Sequence, residues 1–168
     1  MADKFAARKC AKYTVTSILP DVCITPNKKG SPVPFTITID LSGAASGSKN
    51  VNFNGEPAFL YDQSDTVKVK GDKPGKGKGV KSGTVGAKAE PITHSSSVLI
   101  NGKPMVREDD LFFMNNKNTI GKLGASESGS AAYITDDGMI VGETAPPNIL
   151  DDLEAQLEKG AAWIEKQK

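Results

Sequence analysis

One ten-residue pattern occurs twice in the chain and restricts the folds that the chain can adopt. Residues 48–57 align with residues 95–104, and serine, valine, Asn-Gly and proline coincide in the two copies. The dipeptides Asn54-Gly55 and Asn101-Gly102 are favoured in two-residue β-hairpin turns, because both turn positions need a positive φ. Each copy therefore predicts one hairpin. Two copies predict a pseudo-symmetric arrangement in which stacking buries the faces that a lone hairpin leaves exposed.

Most of the remaining chain is also β-prone. Short apolar runs broken by turn residues extend over residues 13–140, and residues 34–39 alternate apolar side chains with threonine, as a half-buried strand does. With 38% hydrophobic residues, 17 glycines and 10 prolines, the chain can bury only a thin core with many turns. The sequence predicts a mainly β fold. A third copy of the hairpin is expected in residues 132–143, around Asp137-Gly138.

The C-terminal segment has a different pattern, with apolar residues at helical spacing. They are Leu150, Leu153, Leu157, Ala161 and Ile164. Acidic residues lie in the first turns and Lys166 near the end, as the helix dipole favours. We predict an amphipathic α-helix over residues 147–168, after a linker or additional hairpin over residues 123–146. The helix is expected to pack on the chain's own β-core; alternatively, it binds a cargo effector or a chaperone in a groove.

Charge and hydropathy exclude several classes of partner. The 21 basic and 20 acidic residues nearly cancel, and the seven lysines between Lys68 and Lys88 are best explained as a solvated loop, so no nucleic-acid site is expected. No apolar run is long enough to cross a bilayer, so no stable membrane insertion is expected. The N-terminus lacks the apolar core of a secretory signal. With only two cysteines, a disulfide scaffold is not expected.

Several stretches, in this order along the chain, resemble the PAAR-like domains of type VI secretion systems. They are residues 21–26, 32–35, 54–55, 70–72, 77–84, 98–110 and 115–116. The resemblance covers residues 13–122 and implies a short cone of β-hairpins there, preceded by an N-terminal segment, residues 1–12. It implies that the cone docks on the end of the trimeric VgrG spike and aids membrane puncture and effector delivery. The chain is then expected in the bacterial cytoplasm before firing, with export through the type VI apparatus without a signal peptide.

The resemblance also raises the question of a metal. PAAR-type tips hold zinc near the apex with histidines and a cysteine, and Cys23 lies at the recurring cysteine position. The other candidate ligands are Cys10 and His94, the only histidine of the chain. Structural zinc usually has four ligands, so an aspartate or a water would have to complete the site. The alternative is that packing and turns alone hold the tip together.

The sequence offers little for catalysis, and we predict that the chain is not an enzyme. Three serines follow His94, but no nucleophile elbow surrounds them. Residues 75–82 approach a phosphate-binding loop, yet Val80 stands where that pattern requires glycine. The alternative function is a small secreted effector with hydrolytic activity in the C-terminal third, which changes at Asp136 or Asp137 would abolish. A carbohydrate-binding module is disfavoured because aromatic residues are scarce.

Overall fold

The computed structural model describes residues 4–26 and 29–126, together with the backbone of residues 133–134 and 140–141. The described fold is mainly β, as the sequence predicts, with a 3₁₀ turn at Leu41–Gly43. The predicted C-terminal helix at residues 147–168 and the pair Asp136-Asp137 lie outside the described residues. Within the described part of the chain, no helix has the length and apolarity that a membrane span requires.

Short antiparallel strands make up the fold. They are β1 (Lys4–Phe5), β2 (Tyr13–Ser17), β3 (Asp21–Thr25), β4 (Ser31–Phe35), β5 (Thr38–Asp40), β6 (Asn52–Phe53), β7 (Glu56–Pro57), β8 (Glu90–Pro91), β9 (Leu99–Ile100), β10 (Lys103–Pro104), β11 (Leu111–Met114), β12 (Thr119–Ala125), β13 (Tyr133–Ile134) and β14 (Ile140–Val141). Such short strands are stable only when they pack against others, since an isolated pair of strands is marginally stable at best.

The central sheet has the order β5-β2-β12-β11-β8 and closes on itself through residues 66–70. Lys68 forms an antiparallel bridge with Lys88, just before β8. Lys70 forms another with Thr38 in β5, where the two residues exchange backbone hydrogen bonds of 2.8 and 2.9 Å. The six segments therefore form a closed barrel, which pairs the two edges that an open sheet would expose.

The interior of the barrel is apolar. It is filled by Tyr13, Val15, Ile37, Ile39, Leu41, Phe59, Phe112, Met114 and Leu123, each at most 1% exposed. The rings of Phe59 and Phe112 meet with centroids 6.1 Å apart and planes tilted by 47°, within the range that aromatic pairs favour. The alternation in residues 34–39 thus puts its isoleucines into the core, as predicted, but the run is not one strand, because β4 ends at Phe35 and β5 begins at Thr38.

Neighbouring segments of the barrel are antiparallel, so the chain reverses direction at each of the two ends of the barrel. At one end, residues 18–37, 71–86 and 115–118 each connect one barrel segment to the next. We call this the connection end. At the other end lie the strand pairs β6–β7, β9–β10 and β13–β1, and we call this the hairpin end. The barrel therefore has three reversals at each of its ends.

Three backbone segments between the hairpins and the barrel bond to one another in a cycle: residues 5–9, 57–61 and 104–108. The Ala7 amide donates to the Val106 carbonyl, Val106 to Phe59 and Phe59 to Ala7, at 2.9, 3.3 and 2.9 Å. A second cycle runs from the amides of Lys9, Tyr61 and Glu108 to the carbonyls of Pro57, Pro104 and Phe5, at 2.9, 2.9 and 2.8 Å. We call these six bonds the backbone ring. Because each bond type recurs three times, the backbone has pseudo-three-fold symmetry.

The third unit of this symmetry is assembled from two distant parts of the chain. Phe5 in β1 lies opposite Tyr133 in β13, in the register that β7 has with β6 and β10 has with β9. β13 therefore takes the place of the first strand of a hairpin, and β1 takes the place of the second. β13 also pairs with β14. Both strands lie within residues 123–146, for which the sequence predicts either a linker or an additional hairpin. The third copy expected around Asp137-Gly138 thus supplies only one strand of the third unit.

A second, smaller core lies beneath the two continuous hairpins. Its members are Ala6, Phe53, Ala58, Leu60, Val98, Ile100 and Met105. Both turns have positive φ at each central residue: 50° and 81° at Asn54-Gly55, and 54° and 77° at Asn101-Gly102. The Asn101 side chain donates to Asn50 Oδ1 at 2.7 Å, which links the second hairpin to the residues just before the first. Stacking of the two copies thus buries their inner faces.

The backbone ring predicts the slowest amide exchange of the chain. The amides of Ala7, Phe59 and Val106 are expected to exchange only through global unfolding, because opening any bond of a closed cycle disturbs the others. Native-state hydrogen exchange followed by NMR would measure this, with the exposed turn amide of Gly102 as a fast-exchanging control. An Ala7 amide that exchanged much faster than those of Phe59 and Val106 would show that the N-terminal segment opens separately.

Candidate functional site

A buried polar cluster lies at the connection end, and each of the three connections contributes to it. Asp21 and Cys23, on β3, come from the first connection, and Asp72 comes from the second. Asn115 and Asn118 come from the third. Asp21, Cys23, Asp72 and Asn115 are at most 1% exposed. We call these five residues the apical cluster. Since Asp21 and Cys23 are two residues apart on one strand, their side chains lie on the same face.

The two asparagines hold Asp21 from the third connection. Asn118 Nδ2 donates to Asp21 Oδ1 at 2.6 Å, and Asn115 Nδ2 donates to Asp21 Oδ2 at 3.1 Å. Asn115 Oδ1 accepts from the amide of Ala87 and from the hydroxyl of Thr84, both at 3.1 Å. The asparagines belong to the third connection, and their side-chain bonds thus join the first connection to the second. Such buried amide groups fix a unique arrangement, because an unmade bond here would cost about 1–3 kcal/mol.

The turn that carries these asparagines has an unusual backbone. Asn115, Asn116 and Lys117 all have positive φ, at 49°, 53° and 68°. Asparagine tolerates this left-handed region better than most residues, and lysine does so less well. The side-chain bonds of Asn115 and Asn118 offset that cost and hold the turn in place. The adjacent asparagines of the sequence therefore serve the backbone as well as the cluster.

Asp72 is less well satisfied than Asp21. Its Oδ2 accepts from the Gly86 amide at 2.6 Å, but its Oδ1 is buried and has no hydrogen-bond partner. A ligand oxygen of Asp72, one of Asp21 and the Cys23 sulfur all lie within 4.8 Å of one another. Buried carboxylate oxygens without a partner are rare, since desolvation of a charged group is costly.

The surroundings of Cys23 favour its protonated form. The Cys23 thiol donates to Asp21 Oδ2 at 3.2 Å. Burial, the hydrogen bond to Asp21 and the negative charges of Asp21 and Asp72 raise the pKa of Cys23 to about 12. A thiol of this kind is a poor nucleophile, because the thiolate is the reactive form. These surroundings therefore disfavour Cys23 as a nucleophile.

The structure does not gather the three metal ligands considered from the sequence. Cys23 lies in the apical cluster, whereas Cys10 packs against the barrel core. His94 stacks on Tyr61, with ring centroids 4.3 Å apart, and its Nδ1 lies 2.9 Å from the Ser95 carbonyl. The potential ligands beside Cys23 are Asp21 and Asp72, which the sequence analysis does not name as ligands. The spacing Asp21-x-Cys23 in a strand was the available signal for Asp21. Asp72 lies in the stretch 70–72 that carries part of the resemblance, but that stretch gave no reason to place it beside Cys23.

Residues 75–82 form a glycine-lysine loop that lies against the cluster, within the second connection between barrel segments. Its backbone runs antiparallel to β3, with Cys23 bridged to Gly79. Gly75 lies directly against the Cβ of Cys23 and Gly77 against Ile24, and a Cβ on Gly79 would lie 2.6 Å from the Asn118 side chain. Lys76 and Lys78, between the glycines, are exposed. The alternation of glycine and lysine therefore lets the loop approach β3 closely. This close packing accounts for the glycines, and no phosphate ligand is needed to explain them.

Comparison with known proteins identifies the fold. The family described as Toxin PAAR-like domain matches residues 14–121, which include most of the closed barrel and two of the three segments of the backbone ring. The chain belongs to this PAAR-like family. Membership associates it with type VI secretion. No curated protein and no solved structure matches the chain.

The PAAR-like domain of this chain departs from the histidine-rich zinc set that the resemblance implied. His94, the only histidine, lies outside the apical cluster. The donors that the cluster offers instead are one sulfur and two carboxylates, including the unpartnered Oδ1 of Asp72. Zinc accepts both Cys sulfur and Asp oxygen as ligands. The donor chemistry of the cluster thus fits a zinc-like ion, although the ligand set differs from the expected one.

The asparagine bonds can be tested by two matched substitutions. Asn115→Ala removes the bonds to Asp21, Thr84 and Ala87, and it is expected to lower the free energy of unfolding by about 3 kcal/mol or more. Asn116→Ala replaces a neighbouring asparagine that also has positive φ but is exposed, so its cost should be about 1 kcal/mol or less. Urea denaturation measures both. Equal losses would mean that the backbone conformation, and not the side-chain bonds, gives Asn115 its importance.

The close approach of the loop gives a second test. Gly75→Ala places a Cβ against Cys23, and the expected loss of stability is about 1–3 kcal/mol because the cluster is already packed. Gly124→Ala is the control, since its Cβ would meet nothing closer than 3.8 Å and the residue is exposed in β12. It should be neutral or slightly stabilising. Thermal and urea unfolding of both variants would reveal the difference, and a Gly75→Ala protein as stable as the Gly124→Ala protein would contradict the packing argument.

Proposed function

We propose that this chain is the structural tip of a type VI secretion spike and docks as one chain on the end of a trimeric VgrG protein. The role is structural and not enzymatic. Membership of the PAAR-like family supports the setting. The pseudo-three-fold backbone ring is the observation that carries the proposal, because it gives a single chain the symmetry of a trimeric partner.

The symmetry argument rests on equivalent backbone positions. A partner with three-fold symmetry presents three identical surfaces, and a monomer can contact all of them only if it offers three similar surfaces. The strand pairs β6–β7, β9–β10 and β13–β1 meet this condition, since they share one register. A closed barrel behind them resists deformation, because moving one strand would break bonds to both of its neighbours.

We assign the docking face to the hairpin end. The pairs β6–β7 and β9–β10 are two-stranded and the pair β13–β1 is extended by β14, so each of the three units ends in an edge strand whose backbone groups can pair with a strand of the partner. The connection end differs in two ways: its three connections have unequal lengths, and it carries four of the six large apolar side chains that are exposed within the described residues, namely Ile18, Leu19, Val80 and Val85. Apolar groups suit the leading surface that first meets a membrane, and unequal loops do not suit a three-fold partner.

Reconstitution with a purified cognate spike tests the proposal. Electron microscopy should show additional density at one end of the spike, and mass measurement should give one chain per VgrG trimer. The density should vanish when the chain is omitted. A spike whose ends look the same with and without the chain at saturating concentration would remove the docking proposal.

Two arginine substitutions distinguish the two ends. Leu99→Arg changes a residue of β9 at the hairpin end that is 62% exposed, and Val80→Arg changes one at the connection end that is 60% exposed. We expect Leu99→Arg to weaken spike binding at least tenfold, about 1.4 kcal/mol, because it places an unpaired charge in the interface. Val80→Arg should change affinity less than about twofold. Biolayer interferometry measures both, and the reverse order would assign docking to the connection end.

A further inference from the structure

We propose that Asp21, Cys23 and Asp72 together bind one zinc-like divalent metal ion, which joins the first and second connections of the barrel. This inference goes beyond the docking role and does not depend on it. It also differs from the ligand set considered from the sequence, since it uses neither Cys10 nor His94. The ion would lie between two chain segments that share no continuous strand.

The first argument is charge. Asp21 and Asp72 are 0% and 1% exposed, and none of the ion pairs within the described residues includes either carboxylate. The side-chain partners of Asp21 are Asn115, Asn118 and the Cys23 thiol, which are neutral donors. Two buried carboxylates within 4.8 Å of a common sulfur repel each other unless a cation compensates them. A divalent ion supplies that charge where the chain supplies none.

The second argument is the unused oxygen. Asp72 Oδ1 has no hydrogen-bond partner although it is buried, while the other oxygen of the same carboxylate is held by the Gly86 amide. A carboxylate fixed through one oxygen presents the other in a defined position, which is how a supporting hydrogen bond orients a metal ligand. Asp21 is also oriented by hydrogen bonds, from Asn118 to its Oδ1 and from Asn115 to its Oδ2. Both oxygen ligands thus already have the supporting bonds that a metal site requires.

The third argument is the chemistry and spacing of the donors. Asp21 Oδ2 and Cys23 Sγ lie 3.2 Å apart, close to the separation of two ligands on one tetrahedral ion with bond lengths of about 2.0–2.3 Å. A sulfur donor favours zinc over magnesium or calcium, which prefer oxygen alone. Binding replaces the bond between Cys23 and Asp21, and the thiol proton is released to solvent. Water completes the coordination.

Metal analysis of the full chain is the direct test. The protein is depleted with a chelator, dialysed, incubated with Zn²⁺ and freed of excess metal. We expect about one equivalent of zinc per chain and a rise in melting temperature of at least about 5 °C over the depleted protein. With Co²⁺ as the probe, a sulfur-to-cobalt charge-transfer absorption should appear in the near ultraviolet. Less than about a tenth of an equivalent of either metal would overturn the proposal.

Four variants assign the ligands. Asp72→Asn and Cys23→Ser keep the size of the side chain, and each should reduce zinc below about a tenth of an equivalent and abolish the rise in melting temperature. Asp65→Asn, at an exposed carboxylate paired with Lys88, and His94→Asn, at the excluded histidine, should retain the full equivalent. Loss of zinc in His94→Asn, or its retention in Cys23→Ser or Asp72→Asn, would refute this ligand set.

The metal-free proteins provide an independent readout. If a cation is needed to compensate the two carboxylates, depleted Asp72→Asn should melt at a higher temperature than the depleted parent, because one buried charge is gone. After zinc is added, the order should reverse, since only the parent gains the ion. A depleted Asp72→Asn protein that melts below the depleted parent would show that the carboxylates do not repel each other and would count against the site.

Discussion

The backbone ring that joins residues 5–9, 57–61 and 104–108 is the interaction on which the rest of the structure depends. Its six amide–carbonyl bonds use only main-chain atoms, so the symmetry survives although the side chains of the three segments differ. Small or apolar residues at the centre, Ala7, Phe59 and Val106, are at most 1% exposed, which excludes water from the bonds. The ring sets the spacing of the three hairpin-end strand pairs and of the three segments that ascend into the barrel. Its closure also requires both the N-terminal segment and the two repeats.

The connection end solves a different problem, because connections of unequal length must meet there. The first contains the β3–β4 pair, the second is the glycine-lysine loop and the third is a tight turn. Apolar packing gives little help at the apical cluster, where Asp21, Cys23, Asp72 and two asparagines meet. Polar contacts are directional, so they specify how unlike loops fit together, at the cost of desolvating two carboxylates. The proposed metal ion would offset that cost, and the asparagine bonds would fix its ligands.

Local features of the sequence were enough to predict the hairpins but not their assembly. Asn54-Gly55 and Asn101-Gly102 impose positive φ on their own turns, so those hairpins could be placed from a few residues. For the third unit, the turn signal Asp137-Gly138 pointed to residues 132–143, which contain β13, but nothing pointed to β1 as its partner, because β1 lies near the other end of the chain. Long-range pairing of this kind leaves no periodicity to detect. The apical cluster was missed for the same reason: Cys23 was identified, but Asp72 approaches it only because the glycine-lysine loop folds back against β3.

The symmetry of the hairpin end is one of backbone and not of side chains, and this has a consequence for the docking that we propose. Lys4, Glu56 and Lys103 occupy equivalent positions in β1, β7 and β10, so two of the three carry positive charge and one carries negative charge. Lys103 and Lys4 pair with Asp62 and Asp109, at 3.0 and 3.9 Å. A chain with three-fold backbone symmetry can meet a trimer in three rotational positions, and identical trimer surfaces make those positions equal in energy. The uneven charges therefore select no orientation on the trimer itself. What they do is make the surface of the docked tip asymmetric, so that any further partner that binds beside the tip meets only one of its three sides.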